Sequence, residues 1–140
     1  MDLQIVYDLV EGIALGKVNV NSYFKTSPYI AWQSKSVQYS SVCFTIERAG
    51  TEDNVVVLHG ILYYGDRLKQ DGSNWVRIQT DATNILLDII SDLKENDNVL
   101  ECELESDIEY WNQRLTDYCA GGYVNLTLTL PLDTCENYNE

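Results

Sequence analysis

LYYGDRLKQDGSNWVRIQTDATNILLDIISDLKE, Leu62 to Glu95, is the stretch on which the fold turns. It passes from an aromatic, strand-like run through a polar turn into a long apolar-periodic segment. Trp75, Ile78, Ala82, Ile85, Leu86, Ile89, Ile90 and Leu93 recur at helical spacing. They predict a helix from about Val76 to Lys94, about 28 Å long at the standard rise. Asn74 or Asp81 can cap its start, and Asn96–Asp97–Asn98 stops it. The glycines before it invite comparison with a phosphate loop. That loop requires G-x-x-x-x-G-K-[ST], in which a lysine after the second glycine reaches the phosphates. Here the spacing between Gly65 and Gly72 is longer, and Ser73 follows. GDRLKQDGSN therefore reads as a strand-to-helix connector. Gly65 permits a positive φ, Asp71–Gly72 turns the chain, and Asp66 or Arg67 pairs locally or with a neighbour.

Upstream, Leu3, Val6, Tyr7, Val10, Ile13 and Ala14 mark an amphipathic helix ending at Gly16. A turn and a short strand near Tyr29–Gln33 follow. VQYSSVCFTIE, Val37 to Glu47, alternates as a half-buried strand, AGTEDN is its turn, and VVVLHGILYY, Val55 to Tyr64, completes an antiparallel hairpin. Gly60 is a candidate bulge. Downstream, VLECELES sets Val99, Glu101, Glu103 and Glu105 on one strand face and Leu100, Cys102 and Leu104 on the other. Ile108–Arg114 pairs beside it. YVNLTLTLPL then turns Val124, Leu126, Leu128 and Leu130 inward and Asn125, Thr127 and Thr129 outward. The order α-β-β-β-α-β-β-β predicts an α+β two-layer sandwich, an antiparallel β-sheet packed by two helices. Residues 1–140 read as a single domain, with a loose C-terminal tail at 136–140.

Ten Tyr and three Trp, with 45% hydrophobic and 22% charged residues, are those of a folding chain. The start lacks the basic and continuous apolar regions of a signal peptide, and no run approaches a membrane span, so a soluble protein is expected. The net charge of −13 is regional: residues 1–80 carry seven Lys/Arg against eight Asp/Glu, residues 81–140 two against fourteen. Gripping a nucleic-acid backbone with the second half is opposed by like-charge repulsion. Cys43, Cys102, Cys119 and Cys135 form no C-x-x-C pair, and no cysteine lies near His59 in sequence, so neither a metal nor a cofactor is expected. Buried thiols are one reading of the cysteines; a Cys119–Cys135 bridge, which needs an oxidising compartment, is the other.

His59, inside a mostly apolar strand, reads as a hydrogen-bonded structural residue. A thiol hydrolase would need Cys43 or Cys119 beside it. Glu101, Glu103, Glu105, Asp107 and Glu109 lack the glycine and mixed oxygen ligands of a calcium loop. They read as a solvated face, as an imitation of a phosphate backbone, or, if copies form a ring, as a lumen that repels DNA. Tyr110, Trp111 and Tyr118 near Arg114 have the composition of an interface core, and core packing accounts for them equally.

The N-terminal helix, LYYGDRL, the D-x-S-N turn into IQTDATNILLDIISDL, and above all YWNQRLTDYCAGGYVNLTLTLPL resemble small virion proteins of tailed phages of gut Bacteroidales, including the crAss-like phages. The chain is also similar to the tail-terminator and tail-completion fold. The resemblance implies a non-enzymatic subunit of a ring in the portal-to-tail (neck and tail) conduit that genomic DNA crosses. It implies a virion protein assembled in the bacterial cytoplasm, in a cyclic ring of six-fold or twelve-fold symmetry beside other neck, tail or portal-associated proteins, with DNA passing unbound and no membrane contact. Asp66, Arg67, Lys69, Tyr110, Trp111, Arg114 and Tyr118 are then candidates for the subunit interface. Glu101, Glu103, Glu105, Asp107 and Glu109 are candidates for a surface that repels DNA or faces a partner. The alternative is an acidic DNA mimic that inhibits a host nucleic-acid-binding protein.

Overall fold

The computed structural model describes residues 2–26, 38–114 and 118–132, with Gln113 and Arg114 described as backbone. The first helix, α1 (Leu3–Leu15), is capped by Asp2, whose carboxylate accepts the Gln4 N–H at 2.9 Å. Its stripe of Val6, Val10 and Ala14 is buried, and it ends at Gly16 as the spacing predicts. Strands β1 (Ser22–Phe24), β2 (Ser41–Glu52) and β3 (Val55–Arg67) follow, then the helix α2 (Trp75–Glu95), and β4 (Glu101–Leu104), β5 (Glu109–Arg114) and β6 (Tyr118–Pro131) are the remaining described elements. The strand expected at Tyr29–Gln33 and the tail at 136–140 lie outside the described residues. β1 was not anticipated, because three residues are too few to show alternation.

The six described strands join one sheet in the order β1-β2-β3-β6-β4, with β5 pairing β6 beside β4. The architecture is α+β, but the sheet is mixed rather than wholly antiparallel. β1 runs parallel to β2, while every other pairing is antiparallel. A parallel neighbour needs a long connection, which residues 25–40 supply. Both described helices contribute to one core over one face of the sheet. Val56, Leu58, Leu62 and Tyr64 of β3, Val124, Leu126, Leu128 and Leu130 of β6, and Ile78, Ala82, Leu86, Ile89 and Leu93 of α2 close it. The inward and outward sets predicted for Val124–Leu130 and for α2 are those observed.

The β2–β3 hairpin departs from its prediction in a way that sets register. The strands run through most of AGTEDN, leaving a two-residue turn at Asp53 (φ 43°) and Asn54 (φ 68°). Positive φ at both central residues gives the backbone twist that matches paired strands. The bulge lies across from Gly60 rather than at it: register shifts between Ile46 and Arg48, so Glu47 is the extra residue. Gly60 serves close packing instead, since a Cβ there would sit 2.9 Å from Phe44 Cε1 and 3.0 Å from the Thr45 carbonyl oxygen.

In the connector, Gly65 remains within β3, paired to Ser41 and Gly121, and the positive φ (72°) belongs to Gly72. The Asp71–Gly72 turn forms as expected: Gly72 N–H donates to the Lys69 carbonyl and Ser73 N–H to the Asp71 carboxylate. Asn74 occupies the cap position of α2 without capping it. Its amide instead accepts from Lys69 N–H and donates to the Arg67 carbonyl, both at 2.9 Å, and so braces the loop. Asp81 lies inside the helix. The alternation in burial expected over 99–106 holds only across Glu101, Cys102 and Glu103. Val99 is buried after a turn onto Asn96, whereas Leu100 and Leu104 are 57% and 41% exposed because β4 ends the sheet order.

Candidate functional site

The register converts the acidic series into a row. Glu101 pairs opposite Thr129, Glu103 opposite Thr127 and Glu109 opposite Tyr123, while Glu105 N–H donates to the Asn125 carbonyl. These β6 residues belong to the outward set, so the carboxylates border the sheet face turned away from the helices. Asp107 is exposed in the gap between β4 and β5. Within the row, Glu103 pushes the Glu101 carboxyl above the usual glutamate range through a shared hydrogen bond and like charge. Tyr123 donates to Glu109 at 2.5 Å, and this contact holds the phenol proton more tightly than usual.

At the middle of the row the three-strand register aligns Arg48, His59 and Thr127. Arg48 and His59 border an open depression of about 280 Å³ that also meets Glu47, Ile61, Glu105 and Asn125. The Thr127 hydroxyl donates to Glu105, and His59 Nδ1 lies 3.4 Å from both the Glu105 carboxylate and the Thr127 oxygen. Because Thr127 directs its single proton to Glu105, a hydrogen bond from the imidazole requires Nδ1 to carry the hydrogen. The Thr127 bond, with smaller help from His59 and Arg48, holds the Glu105 carboxyl below the usual glutamate range. A folded-state value below the unfolded one stabilises the protein above the ordinary glutamate range, and this contribution fades as pH falls through the depressed value. Thr127→Val should therefore move the Glu105 midpoint upward, toward an ordinary glutamate, as read by carboxyl NMR titration. An unmoved midpoint would remove Thr127 as the cause.

The interface candidates divide between surfaces. Tyr110 is exposed on the helix side, with its hydroxyl 2.6 Å from Thr83 Oγ1. Trp111, on the opposite face, packs against the small cluster around Cys43 with Phe24, Tyr39 and Tyr63. The Arg67 guanidinium sits over the Tyr39 ring, 5.2 Å from its centroid. Asp66 approaches Arg77 at 3.6 Å, and partial burial raises its carboxyl against the pull of Arg67 N–H and Arg77. Lys69 and Tyr118 are exposed, and the Arg114 side chain lies outside the described residues.

Cys43 and Cys119 do not approach the imidazole. Cys43 pairs opposite Tyr63, four residues along β3 from His59, which is about 13 Å of extended strand. Cys119 pairs opposite Arg67, twice as far along. Cys43 and Cys119 are buried, and burial pushes the Cys43 thiol up. Cys119 lies 2.9 Å from the Tyr39 hydroxyl; Cys135, its proposed bridge partner, lies outside the described residues. Among the described residues no group of three His, Cys, Asp or Glu is placed to hold a metal ion, and no helix is long and apolar enough to cross a membrane.

The Arg48–His59–Glu105–Thr127 grouping was not foreseen, because it joins four separated segments. A usable signal did exist. Counting back from a two-residue Asp53–Asn54 turn puts Arg48 opposite His59. Comparison with protein-family models and with curated proteins gave no match.

Proposed function

We propose that the chain is a non-enzymatic structural subunit of a ring in the portal-to-tail conduit of a tailed phage, with a tail-terminator-like version of the α+β sandwich. The observation that carries this reading is the sheet face turned away from the described helices. Among the described residues, Val57, Ile61 and Tyr123 are half-buried on that face, beyond the small cluster around Cys43 and bordered by the carboxylate row. Half-buried apolar side chains beside charge suit a surface that another subunit covers. A head-to-tail contact of this kind closes into a ring when its rotation fits. The row then serves as the lining that lets DNA pass without adhering, or as the seat of a basic neighbour.

A second reading rests on the row itself: the carboxylates could imitate a nucleic-acid backbone and block a basic host protein as a monomer. Native mass spectrometry of the purified chain separates the two. The ring reading expects a closed oligomer that Ile61→Lys converts to monomer at a stability change of about 1 kcal/mol or less. A chain that stays monomeric at every concentration and salt level contradicts it.

A further inference from the structure

β4 has β6 on one side and, among the described residues, no strand on the other. Such an edge presents backbone donors and acceptors to an incoming strand. Its two faces differ in chemistry. Toward the outer face stand the exposed carboxylates of Glu101 and Glu103. Toward the helix side stands Leu104, exposed and opposite the inward Leu126, and Leu100 is exposed just before the strand. Leu87, 44% exposed, lies on the flank of α2 that carries Val76, Thr80 and Thr83, one turn beyond the Thr83–Tyr110 contact.

We propose that β4 accepts an added strand from a basic segment of a different protein, in which Lys or Arg alternates with apolar residues. Alternate side chains of an added strand point to opposite faces, so one set meets Glu101 and Glu103 while the other meets Leu104 and the helix side. Main-chain pairing supplies the attachment and the two side-chain sets supply the choice of partner. A second copy of β4 is a poor occupant, because it would set Glu101 and Glu103 against carboxylates. The crowding already present between Glu101 and Glu103 is relieved by cations and worsened by acids. This partner assignment draws its biological sense from the assembly reading, but it is tested separately.

The probe is an acetylated, amidated peptide of alternating lysine and valine, compared with its glutamate–valine counterpart. The lysine peptide should bind in a salt-sensitive manner and slow amide exchange at 101–104, and the glutamate peptide should not. The double variant Glu101→Lys/Glu103→Lys, at two exposed positions, should lose the lysine peptide at least tenfold and gain the glutamate peptide. N-methylation of alternate peptide amides separates strand addition from simple charge attraction: one of the two methylated forms should lose binding at least tenfold and the other should keep it. Equal binding by both forms, protection elsewhere than β4, or no binding of the lysine peptide would overturn the proposal. Peptide capture by a chain that never forms rings would leave strand addition standing and sink the ring; rings without capture would do the reverse.

Discussion

Gly121→Ala should cost about 3 kcal/mol or more, a large part of the stability of a domain this size. A Cβ at Gly121 would lie 1.8 Å from the Tyr64 carbonyl oxygen, 2.8 Å from its carbon and 2.9 Å from Gly65 Cα. All three are backbone atoms, so no rotamer change makes room. Relief requires β3 and β6 to separate where Gly65 pairs with Gly121, and these strands are paired from Val55–Pro131 to Arg67–Cys119. Loss of that pairing would also uncover Leu62, Val124 and Leu126. A denaturant midpoint is the measurement. A midpoint equal to that of the parent chain would show that β3 and β6 meet in another register.

The second large effect lies at Phe44. Its side chain is fully buried and meets the Tyr7 ring edge-on, with centroids 5.6 Å apart. Phe44→Ala should cost about 3–5 kcal/mol, because the lost apolar contact is compounded by the cavity left behind. Gly60 tests whether the ring sits where it is described. Gly60→Ala should destabilise the parent chain, since its new methyl meets Phe44 Cε1 and Cζ and the Thr45 carbonyl. In a Phe44→Leu background the ring part of that clash is gone, so Gly60→Ala should cost less there. Equal costs in both backgrounds would mean that the two residues do not touch.

These two sites mark what the residue pattern could and could not convey. The stripe from Ile78 to Leu93 and the inward set Val124, Leu126, Leu128 and Leu130 were legible because burial on one face imposes a period of 3.6 or 2 on the chain. Gly121 gave no such signal. Its requirement comes from the approach of β3, a contact between segments more than fifty residues apart. The parallel β1 was hidden by its brevity. The early end of alternation at Leu104 was hidden because a pattern reports which residues share a face, not whether a neighbour covers it.

The candidate surfaces divide along the same line. That Glu101, Glu103 and Glu105 form a charged face followed from alternation. That Glu109 joins them required β4 and β5 to pair successively along β6. The Arg48–His59–Thr127 alignment depended on the Asp53–Asn54 turn, which sets Arg48 opposite His59, and on the separate register of β3 with β6. The candidate interface aromatics were separated by one fact of strand geometry: neighbours such as Tyr110 and Trp111 point to opposite faces.

The proposal that this chain is a ring subunit of a phage conduit is tested most directly by quantitative peptide mass spectrometry of gradient-purified virions from cultures that produce the chain. The account predicts that the chain is present at a constant copy number per virion that matches the symmetry of a closed ring. Finding it only in infected-cell lysate, and never in purified virions, would contradict the account.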